Sequence, residues 1–256
     1  MRLTFLWVVF LMLAVPVLAS ENQLLNVDTR PGASVQIYYM KSDPAKATVA
    51  LLPGGAGGLG VKDETPTSSN FLIRSRELFA AHGFNVAAVG KPSDREDLDF
   101  SYRVSANHIE DLRHVVSFLK RDAGLPVWLV GTSRGSISAA AAAIAFGNEE
   151  LAGMVLTSSV TSIQKPGAVP YQALEAIRIP VLILHHERDA CSVCSPQEVA
   201  RITRGLKNAP VKKEVFVNGG GSPTGDPCEA LHWHGFIGME SDAVAIIAEW
   251  IKSPRP

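Results

Sequence analysis

The chain has no surplus of charge of either sign: 24 Lys and Arg stand against 25 Asp and Glu, a formal net charge of −1. With no basic field and no Lys/Arg cluster, nucleic acid is excluded as the expected partner, and a small-molecule substrate takes its place. Cysteine is scarce. There are three, Cys191, Cys194 and Cys228, all in the C-terminal third. No repeat, low-complexity block or linker divides the 256 residues, and after the first segment no apolar run is long enough to span a bilayer. Disorder is excluded as well, because a chain 46% hydrophobic and 19% charged can bury one sizeable core.

What is present begins with "MRLTFLWVVFLMLAVPVLAS", which carries Arg2, an apolar stretch through Leu18 and small residues suited to cleavage at Ala19, with Val17 two positions before it. This pattern predicts a secretory signal over residues 1–19 and one soluble domain over 20–256, secreted or periplasmic. The apolar run of roughly 16 residues falls short of the ~20 that a membrane helix needs, so no stable membrane insertion is expected. No cysteine follows it for lipid attachment. In an oxidising compartment, three cysteines suggest one disulfide and one leftover thiol.

Short apolar runs alternate with longer amphipathic ones. The runs Ser34–Met40, Thr48–Pro53, Asn85–Gly90, Val127–Gly131, Gly153–Ser159, Val181–His186 and Lys213–Val217 read as strands, most of them apolar enough to be covered on both faces. From His108 to Lys120, residues Ile109, Leu112, Val115, Val116 and Leu119 recur at helical spacing, with Glu110, Asp111 and Arg113 left toward water. Further helices are predicted over Ile137–Phe146, stopped by Gly147, and over Asp242–Ile251. The alternation implies an α/β fold, a mostly parallel sheet with helices on both faces.

Two glycine motifs carry the chemistry. Gly55-Ala56-Gly57-Gly58-Leu59-Gly60 matches G-x-G-x-x-G, but a dinucleotide site wants a helix starting at the glycines and an acid near the end of the next strand. Here "VKDETPTSSN" follows without helical periodicity, and the next strand ends in Val89-Gly90-Lys91, so both requirements fail. Gly131-Thr132-Ser133-Arg134-Gly135 matches G-x-S-x-G between an apolar strand and an Ala-rich helix, where a tight turn would lift Ser133 Oγ above the sheet. Taken alone, the same five residues fit an ordinary turn with Ser133 as a helix cap.

With that motif in this context, the sequence resembles the α/β-hydrolase superfamily. The resemblance spans nearly the whole mature chain in element order, though only short motifs carry it. It implies a nucleophile, an acid and a histidine in that chain order, with no metal or organic cofactor. Ser133 is then the nucleophile. Asp189, past the strand end in "HHERDACSVC", is the expected acid, with Glu187 as its competitor. His234, followed by Gly235-Phe236 and the last helix, is the expected base, with His232 the alternative. His108 and His114 fall in a predicted helix, where structural roles are commoner. "PGGAGG" resembles the family's oxyanion loop, with Pro53 where many relatives have His. Arg134 N–H would supply one donor and Gly55 or Ala56 the other. If Asp189 and His234 meet, a Cys191–Cys228 bridge becomes possible, with Cys194 the alternative partner.

A different reading joins Cys191, Cys194, Cys228, His232 and His234 into a zinc site on a non-catalytic binding scaffold. It leaves both glycine motifs unexplained. A thioredoxin-like use of the C-x-x-C lacks a helix opening there. Within the resemblance, ester hydrolysis is the expected activity. Only about 20 residues separate the strand at Gly153 from that at Val181, too few for a large lid. The loops Val61–Asn70, Lys91–Arg103 and Ser162–Tyr171 are expected to wall the pocket. The side chain of Arg134 is expected in an ion pair or facing an anionic substrate group.

Overall fold

A computed structural model describes residues 22–256; the predicted signal segment over residues 1–19 lies outside the described residues. Ten strands form in chain order: β1 Asn22–Arg30, β2 Ala33–Met40, β3 Thr48–Leu52, β4 Val61–Lys62, β5 Thr65–Pro66, β6 Asn85–Pro92, β7 Val127–Thr132, β8 Gly153–Thr157, β9 Val181–His186 and β10 Lys212–Val217. Six helices accompany them: α1 Phe71–Arg74, α2 Arg76–Ala81, α3 Ala106–Ala123, α4 Arg134–Phe146, α5 Val199–Gly205 and α6 Glu240–Lys252. Eight strands make one sheet in the order β1-β2-β6-β3-β7-β8-β9-β10, while β4 and β5 pair as a small hairpin.

The sheet is parallel from β6 to β10, and β2 pairs antiparallel with both β1 and β6. The apolar runs explain the placement. Every residue of β3, β7, β8 and β9 is buried, as strands sandwiched between helices must be. Alternate residues serve two cores. Ala50, Leu52 and Leu129 pack with α3, α4 and α5 on one face; Val49, Leu51 and Val130 pack with α1, α2 and α6 on the other. The α3 stripe of Leu112, Val115, Val116 and Leu119 faces the first core, as its spacing predicts, but Asp111, expected toward water, is buried against Thr29 and Arg30 of β1. Ser105 Oγ accepts from the His108 N–H to start that helix, and Gly124, at φ 63°, ends it.

The sequence reading gains several elements here. β1 had no apolar run to announce it, being a half-exposed edge strand. α1, α2 and α5 are too short to show a clear period, and the β4–β5 hairpin lies within the segment read as a loop. α4 starts three residues earlier than its apolar pattern suggests, directly after Ser133. No helix of the described residues is long and apolar enough to cross a membrane.

Candidate active site

The functional candidates gather at the carboxyl ends of the parallel strands. Ser133 follows β7 at φ 61° and ψ −122°, a backbone conformation that costs a non-glycine residue about 1–3 kcal/mol. Its neighbours explain how the turn closes. A Cβ at Gly131 would overlap the Gly135 carbonyl, and one at Gly135 would overlap the carbonyl of Leu52 on β3. The Ser133 N–H bonds to Thr157 O at the end of β8 (3.1 Å), and Ser133 O accepts from both the N–H and the hydroxyl of Ser136. Ser133 makes no side-chain capping bond, so its hydroxyl is not spent on the helix it precedes.

Asp189 and His234, 45 residues apart, meet in a buried hydrogen bond: Nδ1 of His234 lies 2.8 Å from Asp189 Oδ2. Asp189 Oδ1 accepts from Cys191 N–H at 2.9 Å, which fixes the carboxylate plane. The other ring nitrogen, His234 Nε2, is buried without a hydrogen-bond partner. The loop that presents this ring is held from three sides. Ser158 Oγ donates to His234 O (2.7 Å), Arg74 Nη2 donates to Gly235 O (2.6 Å), and Gly235 lies against the Ala230 carbonyl where no Cβ would fit.

The competing residues lie elsewhere. Glu187 is exposed and accepts from Asn218 Nδ2 (2.8 Å). His232 rests edge-on to Trp233 with its Nδ1 unpartnered. His108 is a buried partner of Ser138 Oγ, and His114 faces Glu110 on the α3 surface. Arg134 places its guanidinium over Phe100 (4.5 Å) and 3.6 Å from Asp97, an ion pair of the kind its charge leads one to expect.

Ser133 and His234 line one cavity of about 530 Å³ together with Gly54, Gly55 and Ala56. A Cβ on Gly54 would stand 2.8 Å from Ser133 Cβ, so this loop passes directly over the serine. Among the described residues the N–H groups of Gly55 and Ala56 have no hydrogen-bond partner, and both residues remain candidates as donors. Arg134 N–H sits in the first turn of α4, where no intrahelical acceptor exists. Ser68, Ser69, Asn70, Phe71, Glu229 and Ala230 also line the cavity. Of the three loops expected to wall the pocket, only Val61–Asn70 borders this cavity; the other two do not, and the segment around Cys228–Ala230 takes their place.

Sequence reasoning missed Arg103. This guanidinium is 1% exposed, with no carboxylate partner. Nη2 donates to Pro53 O (3.1 Å) and Gly55 O (3.0 Å), Nε to Leu98 O (2.9 Å), and Nη1 to Ser138 Oγ (2.9 Å). Burial, with Arg134 close by, presses its pKa down. It clamps the back of the glycine loop. Because a trans peptide points its C=O and N–H opposite ways, holding Gly55 O turns the Ala56 N–H away from Arg103. No local pattern announces this contact, since every partner but Leu98 O lies 35 to 50 positions away.

Cys191 and Cys228 are joined by a disulfide, their Cα atoms 4.5 Å apart, linking the Asp189 loop to the His234 loop. That pairing removes two thiolates from the zinc reading. Cys194 is free and fully buried. Burial, reinforced by the Asp189 charge, pushes its thiol well above its ordinary pKa, against a weaker opposite pull from the Ser133 hydroxyl.

No family model matches the chain, and no curated protein matches it in sequence. Solved structures do match its shape. A dienelactone hydrolase from Anabaena variabilis aligns at TM-score 0.63 and 16% identity, over 91% of this chain and 97% of its own. A Pyrococcus furiosus esterase aligns at TM-score 0.67 and 15% identity, over 98% and 95%. An α/β serine hydrolase without a lid from Xanthomonas campestris aligns at TM-score 0.58 and 15% identity, over 93% and 95%. The chain has the α/β-hydrolase fold.

Proposed function

We propose that this chain is a serine hydrolase that cleaves an acyl bond, a small carboxylic ester foremost, outside the cytosol. The observation that carries the reading is the buried His234–Asp189 pair, whose histidine has its Nε2 unpartnered and lines the same cavity as a serine held on a strained strand-to-helix turn. Three structural neighbours, a dienelactone hydrolase, an esterase and a lidless serine hydrolase, support the class. The apolar leader and the disulfide support export.

In this mechanism Ser133 Oγ attacks the acyl carbonyl as His234 Nε2 takes its proton. Asp189 holds the imidazole tautomer through Nδ1 and stabilises the imidazolium that forms. The N–H groups of Arg134 and of Gly55 or Ala56 receive the oxyanion, each such donor being worth about 3–4 kcal/mol in the transition state. His234 returns the proton to the leaving alcohol, and a water activated by the same nitrogen releases the acyl group. Among the described residues that line the cavity, Glu229 is the only carboxylate and no Lys or Arg is present, which favours neutral over anionic acyl groups.

Labelling the purified chain with a fluorophosphonate probe and mapping the adduct tests the reading, beside Ser133→Ala and His234→Ala variants. An adduct on Ser133 that disappears in both variants is expected. A folded chain that takes no adduct and hydrolyses no activated ester sinks it.

A further inference from the structure

Three sulfurs lie in series at the edge of this site, and the hydrolytic mechanism uses none of them. Cys228 is exposed and borders the cavity, Cys191 is buried and bonded to it, and Cys194 lies fully buried beyond. Cys194 Sγ, Cys191 Sγ and a ring nitrogen of His234 all lie within 4.8 Å of one another. The Cys194 N–H donates to Cys191 O (3.0 Å), closing a four-residue turn that holds the C-x-x-C pair face to face. A turn of that kind keeps its end Cα atoms within about 7 Å, which a disulfide can span. A free thiol thus stands beside a disulfide sulfur, with an unpartnered buried imidazole nitrogen in the same group of residues.

We propose that Cys191, Cys194 and Cys228 form a thiol–disulfide exchange site, in which the bridge moves from Cys191–Cys228 to Cys191–Cys194 and releases Cys228 as an accessible thiol. Cys194 Sγ attacks Cys191 Sγ; the new S–S bond forms as the Cys191–Cys228 bond breaks. The proton lost by Cys194 passes to His234, and Cys228 leaves as a thiolate that takes a proton from water. One disulfide replaces another, so no oxidant or reductant is consumed. The product keeps the Asp189 and His234 loops hydrogen-bonded but no longer covalently tied, and presents a reactive thiol at the cavity mouth. Its reaction partners are small electrophiles and disulfides of the surrounding medium.

The test is alkylation of the native, unreduced protein with iodoacetamide at mildly alkaline pH, followed by acid quench and non-reducing peptide mapping. Because Cys194 is buried and Cys228 is bonded, the resting form offers no accessible thiol; exchange offers Cys228, and alkylation traps it. The expected product carries the label on Cys228 with a Cys191–Cys194 bridge. In Cys194→Ala and Cys194→Ser variants that label should fall by about tenfold or more, since the attacking sulfur is gone. The readout is a map of bridges and label rather than turnover, which keeps the outcome separate from whether the protein is a hydrolase. Label on Cys194 with Cys191–Cys228 intact would overturn the proposal, as would label on Cys191, the mark of scrambling in an unfolded chain. Absence of label over days would overturn it too.

Discussion

Replacing Arg103 with methionine isolates what the buried guanidinium does, since the side chain keeps its apolar stem and loses every donor. Four N–H bonds of 2.9–3.1 Å disappear. At about 1 kcal/mol each they amount to roughly 4 kcal/mol, offset in part because an unpaired buried cation disappears with them. A net destabilisation of about 2–3 kcal/mol is expected in urea unfolding. The activity loss should be larger. With Pro53 O and Gly55 O unclamped, one oxyanion donor loses its fixed direction, and losing a donor lowers kcat by about 10²–10³-fold with little change in KM. Arg103→Lys restores charge without the planar fork and should recover only part of the loss. Hydrolysis of an activated ester and the fluorophosphonate labelling rate give two readouts on protein shown to be folded. A folded Arg103→Met variant with parental kcat would refute the positioning role.

Three further outcomes follow from the same structure. Burial pushes His108 down to about 3 and His185 to about 4 from 6.5, so both stay neutral in the folded chain while the unfolded chain protonates below 6.5. Their contribution is whole above that pH and fades as pH falls, each by about 3 kcal/mol on reaching pH 4; urea midpoints that stay flat over this window would contradict neutral burial. Gly135→Ala drives a methyl into the Leu52 carbonyl and should cost about 3 kcal/mol or more, together with Ser133 labelling; an unchanged Tm would show the turn to be looser than described. Complete reduction should lower stability by about 4 kcal/mol, the chain-entropy value for a bridge across a separation of 37 residues; equal unfolding midpoints with and without reductant would count against it.

The central strands were legible because their surroundings leave one solution. Runs such as Val181–His186, buried on both faces, must be continuous in apolar character, and this one begins and ends where its sequence pattern does. G-T-S-R-G was legible because the close approach of β3, β7 and α4 permits no Cβ on either glycine. The preference for His234 over His232 rests on the resemblance carried by His234-Gly235-Phe236; the structure pairs His234 with Asp189 and sets Gly235 against the Ala230 carbonyl. β1 was not legible: its half-exposed residues carry no period that a loop could not share. Nor was Arg103, because a buried guanidinium that satisfies itself on carbonyls leaves no complementary charge to find in the sequence. The pocket wall at Cys228–Ala230 escaped for a related reason, its position being tied to the Asp189 loop by the Cys191–Cys228 bridge across 37 residues.

The separation of the bridged cysteines also bears on how the chain is made. Synthesis runs from the N-terminus, so Cys191 and Cys194 emerge as a complete pair before Cys228, which follows Cys191 by 37 residues. An oxidant meeting the growing polypeptide therefore finds only one bridge it can close, the short one. The native bridge must await the segment that also delivers His234, so covalent closure and completion of the Asp189–His234 pair belong to the same late event in biogenesis. On the exchange proposed above, an early Cys191–Cys194 bridge is a usable precursor: the arriving Cys228 thiolate attacks Cys191, and Cys194 retires into the core.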